Sequence, residues 1–257
     1  MQNSFLNTDK KGTIILTHYR SGGTQLRQII DIFLNFKSIP YYNVGEIDVD
    51  INSPDFEEKI NKVFFTNTDY KIIQLNNPLV ISFCYYKDIF SELTEDFHIV
   101  HLERDDASKC LLSLPLWEKF IQEGHYEKEE WTKELMIEFH NKLLDRPLRY
   151  TQLYTGLHSE YHPNNGIAFA NYIVMSFVNI LAKNRNISNI HKINTFFYEE
   201  YEEYSKDFFV DHFIEHDEIF LNRVKDTYRR KIPYISSDYL VYFDKEVNSV
   251  FKNWGLK

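Results

Sequence analysis

The stretch TIILTHYRSGGTQLRQIIDIFL, residues 13 to 34, reads as strand, turn and helix. Thr13–Thr17 is an apolar, β-branched run suited to a buried strand. Leu26, Ile29, Ile30, Phe33 and Leu34 then recur at helical spacing. Between them, two of the chain's eight glycines stand side by side. In such a turn the backbone N–H groups converge with the helix N-terminus, where the dipole favours negative charge. Gly22 and Gly23 permit unusual φ and close approach of a phosphate. Ser21 and Thr24 supply hydroxyl donors and can cap the helix. Arg20 adds a permanent, forked cation. Two readings stand: an anion-binding turn, or an ordinary strand-to-helix turn with a glycine pair and a threonine cap. The nucleotide-triphosphate pattern GxxxxGK[ST] is absent, because no Lys follows the glycines. That counts against an ATPase or GTPase.

Outward from this stretch, further strands are predicted at Tyr70–Leu75, Leu79–Phe83, Phe97–Leu102 and Lys192–Phe197. Helical spacing recurs through Leu111, Leu112, Leu116 and Phe120, and again from Tyr239 to Phe251. Strands alternating with helices predict an α/β fold with a central parallel sheet covered on both faces. The segment from Glu118 to Ala182 reads as mostly helical, an insertion or lid in the middle of the chain. No Pro/Gly/Ser-rich linker and no internal repeat divides the sequence, so residues 1–257 are read as one domain.

Composition narrows the function classes. At 257 residues with 43% apolar side chains, the chain can bury a sizeable core. Its formal net charge of −9 argues against broad binding to nucleic acid or anionic membrane, though not against a local site for a small anion. Cys84 and Cys110 form no CxxC pair, and two cysteines make no disulfide framework. Small buried thiols in a reducing, cytoplasmic setting are the expectation. The start MQNSFLNTDKKG lacks the pattern of a signal peptide. The apolar run from Ile167 to Ala182 is broken by Asn171, Ser176 and Asn179. It falls short of the roughly 20 residues a membrane span requires, so no integral membrane segment is expected. The acidic clusters Glu127–Glu130 and Glu199–Glu203 are most simply solvated helix faces.

A second informative stretch is FHIVHLERDDASKCLLSLPLW, residues 97 to 117. An apolar strand ends at Leu102, and Arg104 follows at its tip. Ser113 lies nine residues later, inside the predicted next helix. Such an Arg and Ser can face one crevice at the carboxyl edge of a parallel sheet, where ligands bind in open α/β folds. Equally, Arg104 can pair with Glu103, Asp105 or Asp106, and Ser113 can be a packed helix residue.

Together the two stretches resemble the sulfotransferase family, which moves a sulfuryl group from 3′-phosphoadenosine 5′-phosphosulfate (PAPS). The family's [RK]-[ST]-G-x-[ST]-x-L turn is matched by Arg20-Ser21-Gly22-Gly23-Thr24-Gln25-Leu26. Its strand-end Arg and helical Ser are matched by Arg104 and Ser113. The spacing and the following SLPLW look most like the branch containing bacterial trehalose sulfotransferases. The chain departs from that branch in three places: Cys110 stands for Gln, Leu111 for Ala, and Pro115 is an extra residue before Trp117. HKINTFFYEEYEEY, residues 191 to 204, is similar to the family's late strand and acidic-aromatic turn. YRRKIPY, residues 228 to 234, lies where members carry a basic loop, and VFKNWGL is similar to their closing helix.

The resemblance implies a P-loop-type sheet and in-line transfer to an acceptor hydroxyl on a sugar, lipid or other small molecule. Residues 20–25 would cradle the 5′-phosphosulfate, Arg104 and Ser113 the 3′-phosphate, and adenosine 3′,5′-bisphosphate (PAP) would be the product. Arg20 would stabilise the leaving phosphate electrostatically, since Arg gives up no proton. The scheme requires no metal. His158 and His162 are four apart but lie in a loop with no third ligand. Relatives use Glu or His as base. Glu46, in the loop SIPYYNVGEIDVD with Asp48 behind it, and His18, beside the anion turn, are the candidates. Their plain alternatives are a solvated loop acid and a buried structural histidine. His101, on the other strand, reads as structural. Arg229, Arg230 and Lys231 either close over the nucleotide or simply complement a helix C-terminus. Tyr41, Tyr42, Tyr85 and Tyr86 can line an acceptor pocket or pack elsewhere. Two rival classes stand: a non-catalytic nucleotide-binding or scaffold protein that kept the crevice, and a small-molecule kinase using the same turn.

Overall fold

A computed structural model describes residues 5–18, 21–47, 56–65, 69–75, 89–105, 110, 134, 181–182, 184–199, 217–227, 237, 241 and 245. Contacts divide the chain into two compact units, residues 1–104 with 181–229, and residues 105–180 with 230–257. Nearly all described residues belong to the first.

That unit is built on five parallel strands: β1 (Gly12–Leu16), β2 (Tyr41–Glu46), β3 (Tyr70–Leu75), β4 (His98–Glu103) and β5 (Asn194–Phe197), in the order β2-β3-β1-β4-β5. The helices are α1 (Gly23–Phe36), α2 (Phe56–Phe65), α3 (Ile89–Asp96), α4 (residues 184–191) and α5 (Glu218–Thr227). The expected α/β class with a parallel sheet is present. β1 and β3 are buried along their whole length, as strands covered on both faces must be. Gly12 opens β1 for a packing reason: a Cβ there would stand 2.2 Å from the carbonyl oxygen of Lys71.

Side chains alternate across the pleat, so each strand feeds two cores. Ile15, Ile72, Val100, Leu102 and Phe196 pack with α1 and α5. There the Phe33 and Phe220 rings meet edge-on at 5.6 Å. Ile14, Leu16, Ile73, Leu75 and Ile99 pack with Phe64 of α2, Phe90 and Leu93 of α3, and Ile187 of α4. Helices on opposite faces follow from the strand order: the β1→β2 connection runs one way along the sheet and β2→β3 and β3→β4 the other, and connections of the usual right hand then put their helices on opposite faces. The carboxyl end of β1 therefore lies where the strand order reverses, the usual position of a crevice in open α/β sheets.

β2 differs from expectation. The stretch around Glu46 reads as loop in the sequence but forms the strand beside β3. Its pairing slips between Asn43 and Gly45, where Gly45 has φ +86°. The helical insertion of residues 118–182 and the strand expected at Leu79–Phe83 lie almost wholly outside the described residues. Among the described residues, no helix is long and apolar enough to cross a membrane. Cys110 is buried, and Cys84 lies outside the described residues.

Candidate functional site

The turn after β1 is held by its own polar groups. The Thr17 N–H continues the ladder to the Leu75 carbonyl at 3.0 Å. The Ser21 hydroxyl donates to the His18 carbonyl at 2.7 Å and contacts the Thr17 hydroxyl. Asn184 of α4 donates to the Thr17 carbonyl at 2.8 Å. Gly22 is the N-cap of α1, in the left-handed region at φ 95°. Its carbonyl accepts from the N–H groups of Gln25 and Leu26. Having no side chain, it offers no cap to the first-turn N–H groups, which point out past the helix start. Gly23 is favoured by packing, since a Cβ there would lie 2.8 Å from Thr17 Cγ2 and 3.0 Å from Gln74 Nε2. Thr24 is half-buried beside it.

Arg104 reaches the same side of the sheet. Leu102 belongs to the α1-side core, and two residues on the pleat returns the chain to that side. The Arg104 guanidinium lies 4.4 Å over the Tyr198 ring, and its Nε donates to Glu199 at 3.0 Å. The Tyr198 hydroxyl donates to Gln25 Oε1 at 3.2 Å. One aromatic ring thus bridges the strand-end arginine and the first turn of α1. Glu46 is an exposed carboxylate at the end of β2, paired in register with Gln74, which in turn pairs with Ile15. Register neighbours share a face, so Glu46 lies on the α1 side, beside the residue that touches Gly23.

A different polar group occupies the opposite side. His101 and Glu103 alternate with Leu102, and Ile99 of the same phase belongs to the second core. Arg185 of α4 clamps the Glu103 carboxylate through Nε and Nη2, at 2.9 and 2.7 Å. His101 Nε2 lies 3.4 Å from Glu103, and its Nδ1 3.3 Å from the Thr195 hydroxyl. Burial pushes His101 down to about 4; Glu103 opposes this and Arg185 adds to it. His18 is fully buried. Burial, with His101, Arg185 and Arg104 nearby, lowers it to about 3, so it is neutral at pH 7.

Of the residues expected at the site, Ser21, Gly22, Gly23, Thr24 and Gln25 form the turn and the start of α1, and Arg104 joins them through Tyr198. Glu46 lies on their side of the sheet; His18 lies with the second polar group. Arg20, Ser113, Arg229 and Arg230 are outside the described residues, as are Asp48, Tyr85 and Tyr86. Tyr41 donates to Asp31 on α1 at 2.8 Å, and burial, reinforced by Asp31, raises it to about 12. Tyr42 is exposed. Sequence reasoning gave no role to Tyr198, Gln74 or Arg185, and offered Glu103 only as a partner for Arg104, which pairs with Glu199 instead. Tyr198 lies in the acidic-aromatic turn, the one signal available; the others depend on which strands are neighbours. Among the described residues no group of His, Cys, Asp and Glu is placed to hold a metal ion. A scan against models of known protein families finds no match, and a search of curated proteins finds none.

Proposed function

We propose that this chain transfers a sulfuryl group from PAPS to an acceptor hydroxyl, with its sheet acting as a P-loop-type platform. The observation that supports this most is the Arg104–Tyr198–Gln25 bridge, which sets a strand-end arginine on the same side as the N-terminus of α1, where the N-cap glycine supplies no side-chain cap. Two cationic or dipolar anchors a short distance apart suit a doubly phosphorylated adenosine. The first-turn N–H groups of α1 and Arg20 would hold the 5′-phosphosulfate. Arg104, with Ser113, would hold the 3′-phosphate, and Arg229 and Arg230 would close over it.

In the reaction the acceptor oxygen attacks sulfur as the bond from sulfur to the 5′-phosphate oxygen breaks in line. The acceptor proton passes to a carboxylate, and charge developing on the leaving phosphate is stabilised by Arg20 and the turn amides. Glu46 is the better base. His18, neutral with a pKa near 3, is too weak a proton acceptor at pH 7.

Titration calorimetry with PAP tests the reading. Wild type binds, and Arg104→Ala binds at least about tenfold more weakly, as loss of a charge-assisted phosphate contact requires. Absence of binding by wild type overturns it. A labelled-sulfate screen over sugars, lipids and phenols then identifies the acceptor. The second reading, a nucleotide-binding protein without turnover, draws support from the exposure of Glu46 and the weak basicity of buried His18. It predicts PAP binding with no labelled product.

A further inference from the structure

The polar group on the α4 side is not used by the nucleotide scheme. Its carboxylate and its cation differ sharply in exposure: the Glu103 side chain is 3% exposed and that of Arg185 46%. Nε and Nη2 of Arg185 are committed to Glu103, and Nη1 makes no hydrogen bond among the described residues. A buried bidentate clamp fixes the guanidinium plane and leaves one edge toward solvent, an arrangement that presents two directed donors with little rotamer freedom left to lose. The cation stands near the carboxyl end of β1, close enough to His18 for both Arg185 and Arg104 to disfavour its protonation.

We propose that Arg185, presented by Glu103, is an anion-binding side chain for a carboxylate, phosphate or sulfate group carried by the acceptor. The assignment to the acceptor rests on the sulfuryl-transfer reading. Arg104 and the α1 turn lie on one side of the sheet and Arg185 on the other, so a nucleotide held by the first pair leaves the second cation to the other substrate. An acceptor so recognised is acidic, and neutral sugars or phenols are poorer substrates than their acidic counterparts.

The test follows the Arg185 Nε–H resonance by NMR, assigned by its absence in Arg185→Lys, during titration with inorganic sulfate at constant ionic strength, first without PAP and then at saturating PAP. The expected result is a saturable shift with millimolar half-saturation, weakened roughly fivefold or more in Glu103→Gln, where the clamp loses its charge. A linear, unsaturable response, or no response, overturns the site. Loss of the sulfate response on adding PAP overturns the assignment to the acceptor, because Arg185 then belongs to the nucleotide. The two readings fail separately. Without PAP binding, a saturable sulfate shift keeps the anion site and removes the nucleotide; PAP binding with an indifferent Arg185 does the reverse.

Discussion

The Arg104 guanidinium stacks on the Tyr198 ring at 4.4 Å while the Tyr198 hydroxyl donates to Gln25 on α1. The ring is therefore both a platform for the cation and a strut to the anion turn. Cation–π contacts of this kind contribute about 0.5–2 kcal/mol. Tyr198→Leu should weaken PAP binding by about 2- to 30-fold. Tyr198→Phe keeps the stack, loses only the hydroxyl, and should lie closer to wild type. Calorimetric Kd values for both variants check this, and equal losses would show that the strut matters more than the stack.

Glu46 occupies the last position of β2 on the α1 side of the sheet. If it takes the acceptor proton, Glu46→Gln lowers turnover by about 10²- to 10⁴-fold, the usual contribution of a positioned base. PAP affinity stays unchanged, since the residue holds no phosphate. Initial rates of labelled-sulfate transfer, set beside calorimetric Kd, separate the two effects.

The glycines differ in how much a methyl group would disturb. At Gly12 the added carbon meets the Lys71 backbone at 2.2 Å. The strand must move, so Gly12→Ala should cost about 3 kcal/mol or more. At Gly23 it meets Thr17 Cγ2 and the Gln74 side chain, which can shift, and about 1–2 kcal/mol is expected. Adding Thr17→Ser removes the contacting methyl and should recover part of that loss. Gly22→Ala places a Cβ in the left-handed region, at about 1–2 kcal/mol. Urea denaturation midpoints rank the three.

His18 and His101 are held neutral, at about 3 and about 4, against 6.5 in the unfolded chain. Between these values the unfolded state binds more protons, so stability is complete above about pH 6.5 and falls as the pH drops toward 4. From pH 7 to pH 5 each histidine removes about 2 kcal/mol. His18→Gln should flatten the profile over that range by roughly half of what the two histidines contribute. Denaturant unfolding at several pH values measures the slope, and an unchanged slope in the variant would place the effect elsewhere.

Some of this was written in local sequence. The β1 run and the helical spacing after it placed α1, because both periodicities are carried by large apolar residues. Tyr70–Leu75 matches β3 to the residue, and β4 begins one residue later than predicted. β5 keeps only the second part of the predicted run. β2 was illegible for a physical reason: it is a half-exposed strand at one end of the described sheet, with a register slip at Gly45. Its Asn43 bonds to Arg27 and Asp31 of α1 rather than packing in a core.

The sequence by itself determined the strand–turn–helix unit and the tip position of Arg104, because neighbouring residues along the chain fix both. Only the tertiary structure decided that β1 and β4 are adjacent, that Tyr198 joins Arg104 to Gln25, and that Arg185 meets Glu103 across 82 positions. Those partners come from separate strands and helices. Which ones meet is set by strand order and by the face each side chain takes on the pleat, and neither is a property of any short stretch of chain.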